Sequence, residues 1–314
     1  MSKILFCLSM FFFATSAFAD TLGPQPAPSP GIGPSVLASP LPTLENSPLA
    51  TAAPPGEVGF WGKEWYFAWG YNSDMWAPTD IHVSQPALGN DFTIHNVTAS
   101  DYAQWDTGAF IFDKDPTVPQ FNLRVGHFIN AAQDLGIELS IDHTKYNTTP
   151  DQSALVTGTV NGQAINSYET LTDTYFRYYL HNGVNHIMLS VIKRESLVGD
   201  LNKTFNLSYL LKGGLGIILP HADNCVMGNT VDVGPKTFSN FVGYNTGWWQ
   251  LNGWTVGIEA ALRFVIIDPL FIEFADKFAY AGLGHVPVYD GTADHSLWMN
   301  EMLVDLGISL HPKY

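Results

Sequence analysis

Glu301 to Leu310 reads EMLVDLGISL, and its alternation decides the fold. In an extended chain Met302, Val304, Leu306, Ile308 and Leu310 fall on one side, and Glu301, Leu303, Asp305, Gly307 and Ser309 on the other. A sustained period of two is the mark of a strand, since a helix repeats every three to four residues. One face is wholly aliphatic. The opposite face holds two acids among small residues.

The pattern recurs upstream. Phe205, Leu207, Tyr209 and Leu211 oppose Thr204, Asn206, Ser208 and Lys212. Trp254, Val256, Ile258, Ala260, Leu262 and Phe264 oppose Thr255, Gly257, Glu259, Ala261 and Arg263. Phe121, Leu123 and Val125 oppose Asn122, Arg124 and Gly126; Ile137, Leu139 and Ile141 oppose Glu138, Ser140 and Asp142. Two architectures carry such strands. A soluble sandwich or barrel turns the apolar face inward, whereas a transmembrane barrel turns it to lipid and lines its lumen with the polar face. The composition of the polar faces decides between them. They mix Gly, Ser, Asn and Ala with charges of both signs: Arg124, Arg177, Lys212, Arg263 and Lys277 against Glu138, Asp142, Glu259, Glu273, Glu301 and Asp305. Small residues with compensating charges predict a narrow, ion-paired lumen, either a selective channel or, as we expect, a salt-bridged plug. Only 14% of the chain is charged, against about a quarter in an ordinary soluble protein. Trp65, Phe67, Trp69 and Tyr71, after Trp61, and then Trp248, Trp249 and Trp254 suit aromatic girdles at membrane interfaces. The expected fold is all-β: an antiparallel transmembrane β-barrel of 10–12 strands.

The last strand leads to a terminal aromatic, Tyr314. It resembles the terminal strand of Gram-negative outer-membrane β-barrel proteins, although Pro312 departs from their usual pattern. The resemblance is one of architecture over 58–314. It implies insertion into outer-membrane lipid by the barrel-insertion machinery acting on the strand that ends in Tyr314. It implies no particular activity.

The N-terminus fits that destination. Lys3, the apolar run Ile4–Phe13 and Ala17-Phe18-Ala19 before Asp20 form a secretory signal with a small-residue cleavage site, giving a leader at 1–19. One cysteine, Cys225, remains after it, so no intramolecular disulfide is expected. Residues 20–57 are rich in Pro and Ala, with no Lys or Arg, and suit a disordered tether. The chain has 14 Lys+Arg against 29 Asp+Glu, a net charge of −15. That excludes a nucleic-acid binder, which needs clustered basic residues.

Ten strands are expected near 63–72, 91–98, 121–130, 135–144, 173–181, 185–194, 204–218, 248–265, 269–281 and 297–311. Twelve follow if 104–113 and 236–244 are strands too. Short links at 131–134, 182–184 and 267–269 should be periplasmic, and 145–172 and 282–296 extracellular. With the N-terminus in the periplasm these directions conflict by one strand on each side of 121–218. Residues 73–120 are expected to fold over or into the lumen.

Chemistry is thinner. Asp80, His82 and Ser84 share one face of an extended segment in the order acid–His–Ser, the set that acyl transfer uses. They are the catalytic candidates of an outer-membrane lipid-modifying enzyme, the alternative to a structural, surface-interaction or small-solute transport barrel. A secreted soluble β-sandwich binding module is the third reading. Pro78 and Pro86 bracket the triplet, which favours a polar loop. His221-Ala222-Asp223-Asn224 and Asp294-His295-Ser296 are loop clusters without a recognisable calcium loop, and His181 and His186 are expected to flank a turn and face water. No metal or cofactor is expected.

Overall fold

The computed structural model describes residues 63–104, 119–130, 132–199, 201, 205–245 and 247–310. The leader, the tether, most of the candidate strand at 104–113 and Tyr314 lie outside the described residues. The long strands are, in chain order, β1 (Trp65–Trp76), β2 (Thr79–Gln85), β3 (Asn90–Val97), β4 (Phe121–Phe128), β5 (Leu135–Thr148), β6 (Gln152–Val160), β7 (Gln163–Leu171), β8 (Phe176–Val198), β9 (Asn206–Pro220), β10 (Gly253–Ile267), β11 (Leu270–Val288) and β12 (Gly291–Leu310).

Eight of these close a ring. β1 pairs antiparallel with β12, from Trp65 opposite Leu310 to Trp76 opposite Met299, and on its other side with β4, Trp65 opposite His127. The circuit runs on through β5, β8, β9, β10 and β11 back to β12, every pair antiparallel. Each strand of the ring therefore has two neighbours, and the wall has no open edge.

The expected 10–12 spanning strands are thus corrected to eight, for two reasons. The candidate strands at 173–181 and 185–194 are one strand, β8 (Phe176–Val198). Asn182-Gly183 looks like a hairpin turn, but the chain bulges there and continues, with the β5 register jumping between Thr144 and Tyr146. Gly183 sits at φ +131, and a Cβ on it would come within 2.7 Å of the His143 ring. The second reason is that 91–98 forms β3, which lies outside the ring. With both changes the direction conflict disappears. The links 129–134, 199–205 and Asp268-Pro269 fall at one end with Trp65 and Leu310, and the long connections at the other. Residues 236–244 hold only a 3-10 turn and the two-residue strand Val242–Gly243.

The wall reverses its polarity along its length. On β12 the outward residues Met302, Val304, Leu306, Ile308 and Leu310 are exposed apolar groups, while Glu301, Asp305 and Ser309 are buried inward. Above Trp298 the arrangement flips: Ala293 and Leu297 are buried, and Thr292, Asp294 and Ser296 face out. The apolar belt continues around the ring through Ile137 and Leu139, Leu189 and Val191, Leu211 and Leu215, and Val256 and Ile258. From Trp298 to Leu310 is roughly 40 Å of strand, or about 28 Å of height at the usual 45° tilt, the thickness of a bilayer core. Trp298, Tyr280 and Trp254 touch one another in series at the top of the belt, 4.5 and 5.6 Å apart.

Above the belt the sheet does not stop. β12 leaves β1 and takes β2 as its partner, Thr292 opposite Ser84, and β3, β6 and β7 follow in antiparallel order. This extension packs like a soluble protein, with Ile81, Val83, Phe92, Ile94, Val156, Tyr178 and Leu283 buried in one apolar core. Residues 73–76 therefore complete β1 in the ring, and residues 79–100 build part of the extension beyond the barrel mouth.

Candidate functional site

Alternation sends the even residues of β4, β5, β9 and the lower β8, and the odd residues of β10, β11 and the lower β12, into the lumen. Arg124 occupies its centre. Its guanidinium reaches Glu138 and Asp142 at 3.2 Å, Glu259 at 3.4 Å and Asp305 at 3.1 Å. Lys212 contacts Glu138 and Glu259 at 2.9 Å and Glu273 at 2.8 Å. Arg263 donates to Glu273 at 2.6 Å, and Lys277 pairs with Asp142 and, at 3.4 Å, with Glu301. None of these side chains is more than 7% exposed. An eight-stranded ring is just wide enough for side chains to fill. Below the network Arg263 lies 4.1 Å from the Tyr66 ring centroid and 4.0 Å from that of Phe271, closing the lower end with cation–π contacts. Gly126 makes room for this layer, since a Cβ there would sit 2.1 Å from the Tyr66 ring.

The candidate list for the lumen needs one correction and two additions. Arg177 is not in the lumen. It stands on the outward face of upper β8, above the belt, and its guanidinium is 3.1 Å from Asp223. Charge alone could not separate the faces; its odd position, one step out of phase with the buried Phe176 and Tyr178, does so. Glu64 and Arg194 join the interior, 2.7 Å apart, with Ser309 donating to Glu64 at 2.9 Å. Their signal was parity with Tyr66 and Ile192. His186 is also inside, buried and 3.2 Å from Thr255 Oγ1, so it does not face water.

Asp80, His82 and Ser84 do share one outward face of β2. Their partners, however, lie across the hairpin on β3: His82 Nε2 is 2.7 Å from Asp91 Oδ1, and His95 Nδ1 is 2.9 Å from Asp80 Oδ2. His82 is oriented by Asp91, and Asp80 also accepts from the Asn96 backbone N–H at 2.8 Å. His221 and His295 separate from their sequence neighbours. His221 Nδ1 donates to the Trp248 carbonyl, and His295 is buried with Nε2 3.0 Å from the Tyr178 hydroxyl.

A second site lies on the outside of the wall, directly above the belt. On β5 the outward series Leu135, Ile137, Leu139 and Ile141 ends, and His143 and Lys145 continue it. Together with Phe121, His181, Lys236 and Trp248 they line a cleft of about 540 Å³, completed by Tyr102, Gln104, Asn182 and Trp249. Phe121 stacks on His143 at 5.0 Å. Lys145 donates to the Gln104 side chain and lies 5.6 Å from the Tyr102 ring centroid; Lys236 lies 5.8 Å from that of Trp248. Burial pushes the Lys145 ammonium down to about 8, against the pull of the Asp101 carboxylate. Burial, helped by Lys145 and Arg177 and opposed by Asp223, lowers His181 as well. No carboxylate lines the cleft among the described residues. Trp248 and Trp249 thus belong to this cleft and not to a strand girdle, and Phe241 sits edge-on to Trp249 at 4.7 Å.

The architecture is a closed antiparallel β-barrel of eight strands, apolar on the outer wall of its belt. No family model and no curated protein matches the chain. Similar solved structures include Ail, the attachment invasion locus protein of Yersinia pestis, in complex with the heparin analogue sucrose octasulfate. It has 13% identity and a TM-score of 0.29, over 79% of this chain and 99% of that one. The outer membrane protein AlkL is 10% identical with a TM-score of 0.35, over 86% and 97% of the two chains. The outer membrane protein OprG from Pseudomonas aeruginosa is 11% identical with a TM-score of 0.33, over 81% and 99%.

Proposed function

We propose that this chain is an outer-membrane protein whose barrel is a sealed anchor, and whose role lies in the β extension it holds above the membrane: a structural or surface-interaction role, not solute passage. The filled lumen carries this reading. Arg124 and Asp142, at 1% and 0% exposure, stand where a channel would need water. The extension supports it, because a sheet with its own apolar core is a built platform and not a set of loose loops. Export by a cleaved leader and assembly through the strand leading to Tyr314 belong to the same reading. Lipid modification through Asp80, His82 and Ser84 has less to support it, since His82 is engaged by Asp91. Planar-bilayer recording of the refolded full chain tests the proposal. The expected result is no steady conductance. Stable, ion-selective steps from the wild type would overturn it.

A further inference from the structure

The cleft on the outer wall is charged against the character of the chain. The protein carries a net −15, yet this cleft gathers Lys145 and Lys236 with no carboxylate among its lining residues. It opens where the outward apolar series of β5 gives way to His143 and Lys145, and such a change on a barrel's outer wall marks the level of the lipid headgroups. The connection that supplies Lys236 also presents apolar side chains: Phe238, Phe241 and Tyr244 are exposed on it, and Phe241 lies edge-on to the cleft's Trp249. Apolar side chains beside the exposed Lys236, with Lys145 buried in the cleft behind it, fit an amphiphile, with anionic head in the cleft and chains along the belt. A soluble anion would use the lysines and leave these apolar side chains without purpose.

We infer that this cleft binds the phosphate-bearing headgroup of a net-anionic membrane lipid in the leaflet at the long-connection end, with Lys145 and Lys236 as the phosphate ligands. The inference rests on the barrel spanning a membrane. Native mass spectrometry of the refolded full chain in detergent tests it, with a bis-phosphorylated lipid A titrated in. Parallel titrations use phosphatidylcholine and inositol hexakisphosphate. The Lys145→Gln/Lys236→Gln variant should bind the phosphorylated glycolipid at least about tenfold more weakly than wild type, the loss of two charge-assisted contacts. Lys193→Gln, at the opposite end and paired with Asp134, should bind as wild type does. Lys236→Gln alone, on a surface connection, should show a smaller loss and keeps the test open if the double variant folds poorly. Unchanged binding by the variants would overturn the site. Equal binding of phosphatidylcholine would overturn the charge recognition, and equal binding of inositol hexakisphosphate the lipid assignment. Heat-modifiable migration of the same samples reports the barrel separately: its absence in wild type would overturn the membrane reading and the lipid site with it.

Discussion

Arg124 is the residue on which the interior turns, because four carboxylates converge on it where water is excluded. A buried ion network adds little net stability over apolar packing, but removing one partner leaves charges without compensation. Arg124→Met should therefore destabilise the barrel by about 3–5 kcal/mol, read from urea unfolding in detergent or lipid. A loss below about 1 kcal/mol would mean that water reaches the network. In the extension, His295 sits between Tyr146 and Tyr178, and burial holds its pKa down to about 3. An unfolded histidine titrates near 6.5, so between about 6.5 and 3 the unfolded chain binds the extra proton. The stability of a neutral His295 is present above that window and is lost as pH falls through it. His295→Gln should flatten this part of the acid-unfolding profile, followed by circular dichroism; parallel profiles would contradict the assignment.

At the scale of the element, β12 carries two environments on one face. Val304 lies midway along the belt, while Thr292 lies on the extension. Arginine at a bilayer midplane costs about 2–4 kcal/mol, so Val304→Arg should lose about that much and Thr292→Arg almost nothing. The barrel strands were legible because period-two alternation survives wherever one face meets lipid. The ends of elements were not, and two Asn-Gly pairs show why. At Asn161-Gly162 both residues have positive φ, 49° and 75°, and the chain turns from β6 into β7, a hairpin hidden inside the stretch assigned as a long loop. At Asn182-Gly183 only the glycine is positive, and the chain bulges and runs on. The dipeptide is the same, and the neighbouring strands decide what it does. The cleft was illegible for a related reason: Phe121, Lys145, His181 and Lys236 converge only once the ring has closed.

For the whole molecule, the same ring of strands is packed in two opposite ways. In the belt, the apolar residues face out and the ions face in. In the extension, the apolar residues face in. The low charged fraction of the chain follows from the first, and the ordered mass beyond the barrel mouth from the second. Spin labels placed singly at Thr292, Asp294, Met302, Val304, Leu306 and Ile308 of the lipid-reconstituted protein test this reversal most directly. Collision with oxygen should dominate from Met302 to Ile308, and collision with a water-soluble nickel chelate at Thr292 and Asp294, with the change at Trp298. Uniform access of the chelate along the outward face of β12 would contradict the membrane barrel.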